Sequence, residues 1–218
     1  MIRFAIVLVF TFYLAISGFA EASGDSTVVL RLKNLAKKMK LRTPELSESE
    51  YEVRIWNKQG LMYGDAQMLY ILSKTKQEFE ASKYIIYWDG PVLSRITKHK
   101  PVVPTTDSLW NQLLKENILT LPNEVAIYNQ LRPPQPKNSS WITTEKDGSV
   151  NVHAKKRENG VYITDGEDYY VEVFGHNSYR QYAYSNPKGY IRYKPKILEL
   201  RQFVTILEKI DAIFQSRN

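Results

Sequence analysis

The chain contains no cysteine. That absence excludes disulfide bracing, thiolate catalysis, zinc sites built on thiolates, and lipid attachment at a modified cysteine. Histidine is nearly as scarce, with three residues in all, His99, His153 and His176. None of them stands in the H-x-x-x-H or H-E-x-x-H spacing that places two ligands on one helix face. The sequence has no G-x-S-x-G nucleophile elbow, no glycine-rich phosphate loop and no internal repeat. Past the first residues, no stretch is long and apolar enough to span a bilayer.

What is present begins with a leader. Arg3 supplies a positive start, Phe4–Ile16 runs without a charge, and Ala20-Glu21-Ala22 has the small-x-small form of a signal-peptidase site. The run is shorter than the ~20 residues of a membrane-spanning helix. The expectation is a signal peptide over residues 1–22 and a mature chain starting near Ser23. About 195 residues then remain, enough for one domain or at most two small ones. With 43% apolar residues the chain can bury a core without staples. Export without cysteine points to a bacterial periplasmic or secreted protein, one stable by its core alone or made where disulfides are not the habit.

The formal net charge of +7 survives loss of the leader, which carries one base and one acid, Arg3 and Glu21. In an exported protein such a balance either keeps the chain soluble or suits an anionic envelope polymer, a glycan or a protein partner. Nucleic acid is not expected there.

Three helices and a run of strands are legible. Val28, Leu32, Leu35, Ala36 and Met39 form one apolar stripe, surrounded by Arg31, Lys33, Lys37, Lys38, Lys40 and Arg42. Such a basic helix either lies on an anionic membrane or, as expected here, packs on its own domain with its lysines in water. Tyr51–Trp56 alternates, with Tyr51, Val53 and Ile55 to one side and Glu52, Arg54 and Trp56 to the other. Strands are also predicted at Gln67–Leu72, Lys83–Trp88 and Val92–Ile96, followed by a core helix from Thr106 that Pro122 stops. Residues 129–151, including the proline-rich segment near 132–140, read as a long exposed loop. Short strands resume at Ser149–Ala154 and Gly160–Thr164. The clearest helix closes the chain, with Leu200, Phe203, Val204, Leu207, Ile210, Ile213 and Phe214 on its stripe. The fold class is α+β: a single domain over 23–218, in which an antiparallel meander sheet is backed by helices.

The stretch Asp165–Pro187 predicts a β-hairpin of two aromatic runs, Tyr169–Phe174 and Tyr179–Tyr184, about the turn Gly175–Ser178. A three-residue loop would set Glu172 opposite Arg180 and Tyr170 opposite Tyr182. A two- or four-residue loop would set Glu172 opposite Gln181. In the first register Glu172, Arg180, Tyr182 and Tyr184 share one face. They then form either a cross-strand ion pair among tyrosines that clothe the sheet, or a ligand platform in which Arg180 grips an anionic or carbonyl group. Arg54 and Trp56 complete the candidate ligand-binding set. Asp165, Glu167 and Asp168 crowd one turn, but their spacing matches no calcium loop.

The phrases EYEVRIW, SLWNQLLKENILTLP and DGEDYYVEV…YRQYAYSNP, with the terminal helix after them, resemble a broad group of uncharacterised secreted bacterial proteins. The resemblance covers most of the mature chain. It implies export and an α+β fold, and it brings no activity and no residue roles. The functional expectation is an exported, non-catalytic binding protein with no cofactor and no metal. The alternative is a cell-wall or glycan hydrolase that pairs His153 or His176 with a carboxylate.

Overall fold

The structure is a computed structural model that describes residues 26–131, 140–154 and 166–215. The leader, its cleavage site, the proline-rich segment 132–139 and the strand predicted at 160–164 lie outside the described residues. A six-stranded antiparallel sheet forms the centre. Its strands are β1 (Tyr51–Gln59), β2 (Met68–Lys74), β3 (Phe79–Asp89), β4 (Val92–His99), β7 (Glu167–Gly175) and β8 (Ser178–Ser185). The spatial order is β4-β3-β2-β1-β7-β8. The first four strands are the predicted meander, and the aromatic hairpin adds to the free side of β1. A separate two-stranded ribbon, β5 (Ser140–Thr144) and β6 (Val150–Ala154), takes up part of the stretch expected to be loop. The short helix α3 (Tyr128–Leu131) takes up its first residues, and a 3₁₀ turn at Glu124–Ile127 precedes it.

Both faces of the sheet are covered, because alternation along β1 puts large apolar groups on each side. Val53 and Ile55 face a layer built from α2 (Asp107–Lys115), the turns after it, α4 (Pro187–Tyr193) and α5 (Leu198–Phe214). Thr106 caps α2, its hydroxyl accepting from the Leu109 N–H. Pro187 starts α4 at a position where no N–H is required, so the chain turns helical directly after Asn186. Seven apolar side chains of α5, from Leu200 to Ile213, are buried. At ~1.5–3 kcal/mol each, their gross contribution is on the order of 10–20 kcal/mol, an upper estimate. Phe203 stacks on Tyr184 with ring centres 4.5 Å apart.

On the other face, Trp56, Leu69 and Ile86 are closed off by Leu32 and Leu35 of α1 (Ser26–Lys38). The basic helix thus packs on its own domain. No helix among the described residues is long and apolar enough to cross a membrane.

Candidate functional site

The end of α1 builds a strongly charged concavity. Lys40 takes a positive φ of 58° and turns the chain back, and the Leu41 N–H donates to the Ala36 carbonyl at 2.9 Å. The following segment lies over β1, where the Arg42 carbonyl accepts from Arg54 Nη2 at 2.5 Å. Between this segment, α1 and the β1–β7 pair lies an open groove of about 610 Å³. Lys33, Lys37, Lys40, Arg42 and Arg54 line it, and Glu172 is the one carboxylate among its lining residues.

The two charges on the sheet side of this groove are already engaged. Arg54, 6% exposed, donates from Nε to Glu52 at 2.7 Å and lies 4.8 Å over the Phe174 ring. Glu172 accepts from the Trp56 indole at 2.8 Å and from the Tyr179 hydroxyl at 3.0 Å. Burial, followed by the Glu172 charge, pushes the Tyr179 phenol up from its usual value. By contrast, Lys33, Lys37, Lys40 and Arg42 form no ion pair among the described residues. Lys33 and Lys37 are four residues apart on one helix face, a like-charge spacing that costs a helix a few tenths of a kcal/mol.

The hairpin register corrects the platform. Gly175 pairs with Ser178, leaving a two-residue loop, so Glu172 stands opposite Gln181 and Arg180 opposite Val173. Glu172 and Arg180 therefore face opposite sides of the sheet. Arg180 turns towards the helical layer and donates to the carbonyls of Leu119 (2.6 Å) and Leu121 (2.7 Å). Tyr182 and Tyr184 are each 1% exposed and donate to the carbonyls of Ile118 and Pro122. These three side chains fasten the 117–122 turn to the sheet, Tyr182 and Tyr184 buried and Arg180 half-buried. Trp56 is fully buried beneath α1. Of the six residues nominated from sequence, Arg54 and Glu172 line the groove, with Trp56 packed behind Glu172. The lysines that give the groove its charge were expected on the outer side of a helix, facing water or an anionic membrane.

The histidines take other partners. His153 bonds the Thr143 hydroxyl at 2.7 Å and stacks on Trp141. His176 shares a hydrogen bond with the Leu46 carbonyl through Nδ1 and with the Asn177 amide through Nε2, so Nδ1 carries the proton. Neither has a carboxylate partner among the described residues.

A second polar cluster, not anticipated from sequence, lies at the far end of the helical face. Tyr70 donates to Asp211 and Tyr169 to Glu167, while Lys188 reaches Asp211 at 3.4 Å and Glu167 at 4.0 Å. Burial, reinforced by the neighbouring carboxylate, holds both phenols protonated far above the ordinary tyrosine range. Glu167, one of the crowded turn acids, is thus tied to its own strand; Asp165 lies outside the described residues. No group of three or more metal-ligating side chains occurs among the described residues.

No family model, curated protein or solved structure matches the chain. Fold and groove together define an α+β protein whose sheet is enclosed on both faces and whose first helix raises a basic wall beside the sheet.

Proposed function

We propose that this is an exported, non-catalytic binding protein that holds the anionic groups of a cell-envelope polymer in the groove beside α1. The observation that carries the reading is the convergence of Lys33, Lys37, Lys40 and Arg42, without acidic partners, over one concavity. Lysines on flexible stems suit repeated, loosely spaced carboxylates or phosphates better than one rigid ligand. Arg54 has a different task from the one first assigned to it. Engaged with Glu52, Phe174 and the Arg42 carbonyl, it fixes the segment that bears Arg42 and shapes the wall. The leader supports export, and the partners taken by His153 and His176 favour binding over hydrolysis.

The test is affinity of the mature chain for inorganic polyphosphate and for polyglutamate, with neutral dextran as control. Binding should weaken steeply with salt, as contacts between exposed charges do. The pair Lys37→Glu and Lys40→Glu should lower polyanion affinity tenfold or more while the thermal transition stays in place. Equal affinity in that variant, or retention that salt does not affect, would overturn the proposal.

A further inference from the structure

At the opposite end of α1 the β1–β2 connection presents three consecutive apolar residues to solvent. Leu61 is 81% exposed, Met62 55% and Tyr63 69%. Runs of this kind are unfavourable on a soluble surface unless something covers them. The loop that carries them is also firmly built. Gln67, itself buried, receives the Gln59 N–H at 2.7 Å and donates to the Tyr63 carbonyl at 2.6 Å. Gly64 sits at φ 88° against the Trp88 ring, whose indole N–H donates to the Ala66 carbonyl at 2.7 Å. Asp65 pairs with Arg31 of α1 at 3.7 Å.

We infer that the Leu61-Met62-Tyr63 tip is a membrane-docking element that enters the interface of a lipid bilayer. Two features favour a bilayer over a protein groove. First, the tip carries no charge from Gly60 to Gly64, and its tyrosine has the amphipathic character suited to the headgroup boundary.

Second, three polar backbone groups of the loop are paired within the protein. The Gly60 N–H donates to Gly166, the Met62 N–H to Gln59, and the Tyr63 carbonyl accepts from Gln67. A segment leaving water for lipid needs such internal pairing. The tip is separate from the basic groove, which stands at the other end of α1.

The test is flotation of the mature chain with vesicles of phosphatidylcholine, alone and mixed with phosphatidylglycerol. The parent chain should float with both. Leu61→Asp with Met62→Asp should lower the bound fraction at least tenfold and leave the circular dichroism unchanged. Met62→Trp should bind like the parent and gain a blue-shifted emission that brominated lipid quenches. A parent chain that stays with the soluble fraction, or a double variant that floats equally well, would overturn the inference. Loss of flotation in Lys37→Glu with Lys40→Glu, but not in the tip variant, would overturn it too, because headgroup capture would then belong to the groove.

Discussion

Trp56 donates its indole N–H to Glu172 at 2.8 Å, on the sheet face that α1 covers. The tryptophan is fully buried and the carboxylate is half-buried, so the bond joins the core under α1 to the charged groove beside it. Glu172→Leu should orphan the buried indole N–H, lowering stability by about 1–3 kcal/mol, whereas the exposed Tyr179 hydroxyl keeps Gln181 at 3.3 Å. Glu172→Gln keeps an acceptor and should lose less than half as much. Chemical denaturation of the two variants provides the comparison, and equal losses would show that the carboxylate does not hold Trp56.

Arg180 yields a prediction of a different kind, because it supports the fold and stands outside the groove. Its guanidinium satisfies two carbonyls of the turn after α2. Charged hydrogen bonds of this type are worth about 1.5–3 kcal/mol, so Arg180→Ala should destabilise the protein by at least that amount. Polyanion affinity of the folded fraction should not change. A variant that kept full stability and lost affinity would return Arg180 to the binding surface.

The strands and the two long helices were legible because their patterns are local: alternation in Tyr51–Trp56, and three- or four-residue steps from Leu200 to Phe214. The hairpin register was not, because Gly175 and Asn177 are both able to take a positive φ and so allow loops of two or three residues. Asn177 takes it, at 53°. That one-residue choice turns Arg180, Tyr182 and Tyr184 away from the face shared by Glu172 and Arg54. What awaits them, the carbonyls of residues 118–122, comes from about sixty positions earlier in the chain and leaves no local trace. The groove escaped notice for a related reason. Lysines around an amphipathic stripe look like solvated surface until the helix is seen to end beside a sheet.

Alkaline pH should unfold the protein steeply. Tyr70, Tyr169, Tyr182 and Tyr184 are buried, and burial raises each phenol above its ordinary value. In the unfolded chain each ionises near the ordinary tyrosine value of about 10. Above that pH the unfolded state binds fewer protons than the folded one. The stabilisation is therefore complete below pH ~10 and falls as pH rises, by about 1.4 kcal/mol per pH unit for each such tyrosine. The phenolate absorbance that Tyr70→Phe removes should appear together with loss of circular dichroism, and that variant should make the decline shallower by one proton. A Tyr70 phenolate, read as the difference between parent and variant, that forms well before the fold is lost would contradict the prediction.

Two glycines with left-handed backbone make a controlled comparison. Gly90, in the β3–β4 turn, has φ 53° and open space where a Cβ would stand. Gly64 has φ 88°, and a Cβ there would lie 2.0 Å from Trp88 Cε2. Alanine at either position meets the left-handed penalty of about 1–2 kcal/mol. At Gly64 it must also displace an indole whose N–H is bonded to Ala66, which adds about 1–3 kcal/mol of overpacking. Gly90→Ala should therefore cost about 1 kcal/mol and Gly64→Ala about 3 kcal/mol. Thermal unfolding measures the difference, and hydrogen exchange should show it concentrated around Gln59, Ala66 and Gln67. Equal costs would mean that the β1–β2 connection yields easily. A connection that yields could not hold Leu61, Met62 and Tyr63 out from the sheet, so this comparison also tests the rigidity on which membrane docking depends.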